Sequence, residues 1–264
     1  MGFRVVYRIL LFSLALCGLG IRAYAGAPGW SVPILVYHRF EPDAPGLTAI
    51  PPSLFAEQLE WLKTHDIAVL PLQTLVAALK RGTPPGQPAV VLTADDGHRS
   101  VYNEMYPLLQ KYNVHATLFI YPSAISNSEE ALTWEQLEEM VKSGLVDVQS
   151  HTYWHPNFNV EKRRLDPAAY KEFVNSQLTR SKERLEAHLG TTVDLLAWPF
   201  GLHDSELEEA AKMHGYVAAF SIERKPIRAG ENPFALPRFQ VTSADHGSRF
   251  EALIDGATGR KEPQ

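Results

Sequence analysis

The 264-residue chain has a single cysteine, Cys17, and it lies in a short apolar stretch near the N-terminus. A disulfide framework is therefore excluded, and the fold has to stand on its apolar core. Positive charge is also scarce: 25 Lys and Arg against 30 Asp and Glu give a formal charge of −5, with no sign of the basic stripe that nucleic-acid binding favours. No apolar run reaches the ~20 residues needed to span a bilayer. No internal repeat, low-complexity tract or linker divides the chain. What remains is an ordinary globular composition, 45% hydrophobic and 21% charged, long enough to bury a substantial core as a single, monomeric domain.

The first residues read as a targeting segment. Arg4 and Arg8 form a positive head, Ile9 to Leu19 is apolar, and Ala23-Tyr24-Ala25 is an A-x-A cleavage signal before Gly26. The expected division is a secretory signal peptide over 1–25 and a folded domain over 26–264, exported to a periplasm or to the cell exterior, with no stable membrane span after cleavage. A retained anchor is the alternative, opposed by the shortness of the apolar run. A lipoprotein signal at Cys17 is another, opposed by the bulk of Leu16 just before it. Cleavage after Ala25 removes the cysteine together with Arg4, Arg8 and Arg22, so the mature chain is more acidic.

Beyond this segment short apolar strands alternate with amphipathic helices. Pro33 to Tyr37, Ile67 to Leu70, the run ending at Asp95, Ala116 to Tyr121, Leu145 to Ser150, Leu195 to Trp198, Val217 to Ser221 and Leu236 to Val241 read as strands. Helices are expected over Pro52 to His65, Leu72 to Lys80, Val101 to Tyr112, after a capping box at Thr133 and Gln136, over Pro167 to His188 before Gly190, and over Ser205 to His214 behind Asp204. The tail after Gly256 looks frayed. Such alternation implies a parallel sheet with helices outside, either a barrel or a doubly wound sheet.

Two of these strands end in chemistry. Val90-Val91-Leu92-Thr93-Ala94 runs into Asp95-Asp96-Gly97, and an unpaired buried charge costs several kcal/mol, so the two carboxylates belong at the strand's mouth. The second run ends in His151-Thr152-Tyr153-Trp154-His155, with imidazoles at i and i+4. One carboxylate and two imidazoles make a facial site for a divalent metal, Zn²⁺ being the default, with positions left for water and substrate. The other carboxylate is then free to act as a base. Taken alone, the Asp-Asp-Gly triplet is more often a helix cap and its neighbour. Sites at strand ends favour the barrel over the open sheet.

Thr93-Ala94-Asp95-Asp96-Gly97 resembles the T-F-D-D-G motif of the polysaccharide deacetylases, carbohydrate esterase family 4, and His151 to His155 matches that family's H-[ST]-x-x-H. Trp198-Pro199-Phe200-Gly201 resembles its third motif, and the similarity spans Pro33 to Val241 in the same order. The resemblance implies a distorted (β/α) barrel of about seven to eight strands that removes acetyl groups from N-acetylated sugars with a divalent metal. By matching position, Asp96, His151 and His155 would bind the metal, Asp95 would be the base, and the Phe200 backbone N–H would hold the oxyanion.

The chain departs from the common pattern at two places. Ala197 stands where an arginine usually precedes the third motif, and no late L-x-x-H supplies an acid; His246 is the only late histidine. A similar departure typifies the branch acting on poly-β-1,6-N-acetylglucosamine in biofilm matrices, whose early Y-H motif Tyr37-His38 resembles. That makes His38 the first choice for the general acid and His246 the second, with Arg238 orienting Asp95. A packed core histidine is the ordinary fate of a residue like His38. Trp154 and Trp198 either fill the core or form a sugar-stacking wall. The expected substrate is a polymer of N-acetylglucosamine, with chitin oligosaccharides, peptidoglycan and O-acetylated xylan as rivals, and a catalytically silent sugar-binding protein as the non-enzymatic alternative.

Overall fold

The computed structural model describes residues 30–43 and 46–259. The expected targeting segment, with Cys17, lies outside the described residues. Among the described residues no helix is long and apolar enough to cross a membrane.

Eight parallel strands form the central sheet: β1 (Ile34–Tyr37), β2 (Ala68–Val69), β3 (Ala89–Asp95), β4 (Ala116–Ile120), β5 (Val146–Ser150), β6 (Leu195–Ala197), β7 (Ala218–Phe220) and β8 (Phe239–Gln240). Their order is β7-β6-β5-β4-β3-β1-β8, with β2 paired to the start of β3. All seven residues of β3 are buried, as expected of a parallel strand covered on both faces. Inward-pointing residues alternate with outward ones along each strand. Ile34, Val91, Phe119, Leu195, Ala197 and Phe220 form an inner cluster, and Thr93 and Asp95 continue the inward row of Val91 beyond it.

The sheet curls until it nearly meets itself. Phe239 and Gln240 pair with Leu35 and Val36 of β1, while Leu236, three residues earlier, bridges Phe220 of β7 in parallel. The expected strand from Leu236 to Val241 is therefore split: it changes partner at its middle, and only its second half keeps a ladder. Arg238 lies at this seam, with no exposed surface.

Among the described residues eight helices surround the sheet: α1 (Pro52–Thr64), α2 (Leu72–Arg81), α3 (Tyr106–Tyr112), α4 (Trp134–Lys142), α5 (Phe158–Arg164), α6 (Pro167–Leu189), α7 (Ser205–Met213) and α8 (Ser248–Thr258). The capping box at α4 is present, with Gln136 N–H donating to Thr133 Oγ1 and Thr133 N–H donating to Gln136 Oε1. Asp204 caps α7 through Leu207 N–H, and Gly190 ends α6 in the left-handed conformation. The segment expected as one helix from Val101 opens with a wider π turn over Val101–Met105 before α3 begins. Of the tail expected to fray after Gly256, Ala257 and Thr258 instead complete α8, whose Phe250, Ile254 and Ala257 bury one face before Gly259, and residues 260–264 lie outside the described residues.

Register places Asp147 beside Thr117 and Gln149 beside Phe119 on the inward face. Gln149 Oε1 accepts from the Asp194 and Leu195 N–H groups, and its amide donates to Asp147. Burial, with Asp194 adding to it against that hydrogen bond, pushes the Asp147 carboxyl up to about 6. A carboxyl raised on folding contributes stability below its unfolded value near 4, and that contribution is lost as pH climbs through 6. Asp147→Asn, which keeps an acceptor for Gln149, is expected to be more stable than the parent at pH 7, with the advantage shrinking at pH 4. Denaturant melts at the two pH values check this; equal stability at both would contradict it.

Candidate metal and catalytic site

Asp95 closes β3 and the chain turns at once through two left-handed residues, Asp96 (φ 72°) and Gly97 (φ 77°). Asp96 N–H donates to Phe119 O, which carries the β3–β4 ladder one residue past the strand. The glycine is required there: a Cβ at Gly97 would lie 2.9 Å from Ile120 Cδ1, in a backbone region that side chains avoid. On the other strand His151 N–H donates to Ile120 O, so the imidazole emerges beside the same turn.

His151 is 2% exposed, and its Nδ1 lies 2.8 Å from Ala197 O. A carbonyl accepts only, so Nδ1 carries the proton and the Nε2 lone pair faces Asp96. Burial holds the His151 imidazolium down to about 3, and His155 is lowered by burial as well. Both rings are therefore neutral donors at neutral pH. Asp96 Oδ1 lies 3.6 Å from His151 Nε2 and 3.6 Å from His155 Nε2. That oxygen is buried and has no hydrogen-bond partner.

These separations test whether a metal fits. Donor atoms bound at 2.0–2.1 Å to a tetrahedral ion stand about 3.3 Å apart, just beyond hydrogen-bonding reach and near what is found here. The three ligand atoms lie within 4.8 Å of one another, and a charged oxygen left unpaired between two neutral imidazoles is the arrangement a shared cation satisfies. Four of the seven non-glycine residues with positive φ among the described residues, Asp96, Thr152, His155 and Phe200, belong to the motifs that build this site. Backbone of this kind persists only where the surroundings over-determine it.

Asp95 is tied elsewhere. Arg238 Nη1 and Nη2 donate to its two carboxylate oxygens at 2.9 and 2.7 Å, and Arg238 Nε donates to Ser221 O at 3.0 Å. Burial by itself raises the Asp95 carboxyl, but the Arg238 guanidinium, with His151 and His38, outweighs it and holds the group at about 2. One aspartate is thus locked in a bidentate pair, and its neighbour points at the imidazoles.

Asp95, Asp96, His151 and His155 line a cavity of about 380 Å³ together with His38, Thr48, Phe200, Ile222 and Gln240. His38 Nδ1 is buried there without a partner. His246 is exposed and does not line the cavity, so the structure brings only the first of the two histidines to the site. Phe200 is 53% exposed, with its ring 4.6 Å from that of His155. Gly201 presses on the opposite wall: a Cβ there would lie 2.9 Å from Ile222 N. Trp198 backs the wall but is fully buried, its Nε1–H donating to Phe234 O, and so fills the core. Trp154 is 43% exposed and packs edge-on against Phe173 outside the cavity lining. Thr48, Ile222 and Gln240 carry no motif; only the folded chain reveals them.

A strand-end Asp-His-His cluster beside an ionised carboxylate, on a curled parallel sheet, defines a metal-dependent hydrolase of the barrel class. The polysaccharide deacetylase family profile matches residues 82–219, and the chain belongs to that family. It is 27% identical over 206 residues to the poly-β-1,6-N-acetyl-D-glucosamine N-deacetylase of Staphylococcus aureus, covering 76% of this chain and 69% of that one. Among solved structures it is similar to IcaB from Ammonifex degensii, with a TM-score of 0.75 and 28% identity over 86% of this chain and 97% of the other. It shares its fold with the Streptococcus pyogenes deacetylase PplD in complex with acetate, at a TM-score of 0.77 and 23% identity, covering 86% of this chain and 99% of that one. The protein is a divalent-metal-dependent deacetylase acting on an acetylated sugar polymer.

Removing one member of a buried ion pair strands the other. Arg238→Met is therefore expected to cost about 3–5 kcal/mol, and combining it with Asp95→Asn should recover most of that loss. Denaturant titrations of the two single variants and the double variant check the coupling; additive losses would contradict it.

Proposed function

We propose that the protein is an exported N-deacetylase of poly-β-1,6-N-acetylglucosamine in a biofilm matrix, working as a monomer with Zn²⁺. The observation that carries this reading is the pairing of His38, in the cavity, with Arg238, bidentate on Asp95. These two residues take the roles left open by the missing late L-x-x-H and by Ala197, where the sequence leaves the common family pattern. The named Staphylococcus aureus relative acts on that polymer. The apolar run and A-x-A signal within 1–25 support export.

Asp96 Oδ1, His151 Nε2 and His155 Nε2 hold the ion in this reading. When bound, the ion would supply Lewis acidity toward the acetyl carbonyl and would lower the pKa of water toward neutrality, so that a weakly basic carboxylate would suffice. Asp95, kept ionised and aimed by Arg238, accepts a proton from the attacking water. The Phe200 N–H donates to the oxygen on which negative charge develops. His38 then gives a proton to the leaving nitrogen as the C–N bond breaks, releasing acetate and the free amine.

Acetate release by zinc-loaded protein is expected to be faster on β-1,6 than on β-1,4 N-acetylglucosamine oligomers; the reverse order would move the substrate to chitin-like or peptidoglycan polymers. Asp95→Asn should keep stoichiometric zinc and lose turnover by about 10²–10⁴-fold. His151→Ala and His155→Ala should each lose zinc along with rate. Full metal content in both would contradict the ligand set.

A further inference from the structure

The site depends on two loops that leave adjacent strands. His38 follows β1, Asp96 follows β3, and the ladder between those strands ends at Tyr37 and Ala94. Past that pair, strand hydrogen bonds no longer fix the distance between the two loops. A buried cluster takes over. Arg39 N–H and Glu41 N–H turn one way, to Thr48 O and Ile50 O. Phe40 N–H, between them, turns the other way and donates to Ser100 Oγ at 2.9 Å.

The Ser100 hydroxyl has a single proton. Its Oγ stands 2.7 Å from His98 Nδ1, which also accepts from Ser100 N–H at 3.2 Å. With Nδ1 an acceptor, the ring proton sits on Nε2, and Glu41 Oε1 lies 3.8 Å from that nitrogen, beyond hydrogen-bond length. Both residues are buried, Ser100 at 6% and His98 at 9% exposure. The chain on the far side of His98 is itself pinned, Arg99 N–H donating to Glu130 O and Leu132 N–H to Gly97 O. Ser100 and His98 thus clamp the segment just after His38 to the segment just after Asp96 and Gly97.

We propose that Ser100 and His98 are positioning residues for proton delivery: they set the distance from His38 to the reaction centre and touch no substrate. The proposal rests on the reading of His38 as the acid. An amide needs a proton on its leaving nitrogen, whereas the acidic phenol of 4-nitrophenyl acetate leaves without one. A displaced acid therefore slows only the first, while a general structural fault slows both.

The test compares kcat on an N-acetylglucosamine oligomer and on 4-nitrophenyl acetate, using zinc-loaded protein whose metal content and Tm are measured alongside. Ser100→Ala is expected to lower kcat on the oligomer by about tenfold to a hundredfold, to leave KM and bound zinc unchanged, and to spare the ester. Because that variant also leaves the Phe40 N–H unpaired, His98→Leu serves as a milder change with the same selective loss. His98→Asn, whose Oδ1 can accept in place of Nδ1, should restore the rate. Equal losses on both substrates, or none on either, would overturn the proposal. His38→Ala, run in parallel, separates the two layers. Without a selective loss in that variant, the acid assignment falls and the clamp's role with it. If His38→Ala is selective and Ser100→Ala is not, the clamp alone falls.

Discussion

Two adjacent carboxylates at the mouth of a buried strand cannot both stay charged unless each has its own cation. The whole site follows from how this chain meets that condition. Asp95 has a protein cation, Arg238, which donates once to each carboxylate oxygen and leaves each a second lone pair. Asp96 has no such hydrogen-bonded cation: its Oδ1 is buried between two neutral imidazoles without a hydrogen-bond partner, an arrangement that a shared cation would satisfy. The division of labour between residues of the same type is therefore set by their surroundings. One is held as an ionised acceptor, and the other is placed as a candidate ligand.

The barrel makes that division stable. Strand alternation sends Asp95 inward, while the left-handed turn at Asp96 swings the next carboxylate toward β5 and the histidine loop. Arg238 comes from the seam where the curled sheet changes partners between β7 and β1, a place where an inward side chain meets the end of β3 without displacing a ladder. Because the arginine is wholly buried and also donates to Ser221 O, its position is as fixed as that of the carboxylate it orients. The unpaired Asp96 oxygen and the positive-φ residues around it are costs of folding, offset by the packed sheet beneath.

Much of this was legible in the sequence, for identifiable reasons. Asp95, Asp96, His151 and His155 come in short motifs directly after apolar runs, so the strand rule alone places them at one end of a parallel sheet. The helices with explicit caps, α4, α6 and α7, follow the same logic of local chemistry. Arg238 was readable only as a substitute for the residue missing at Ala197; its bidentate geometry depends on a sheet closure that no local pattern encodes. Thr48, Ile222 and Gln240 were invisible because they reach the cavity through tertiary placement. The Trp198 ring could have gone either way from its position, and its buried hydrogen bond to Phe234 O settled it in the core. The split of the last strand and the π turn before α3 likewise follow from packing and not from propensity.

The separate-cation account is tested most directly by anomalous diffraction at the zinc edge from crystals grown with the metal. It predicts one strong peak about 2.0–2.2 Å from Asp96, His151 Nε2 and His155 Nε2, with the Arg238 pair to Asp95 intact beside it. A peak ligated by Asp95, with Arg238 released from its carboxylate, would contradict it.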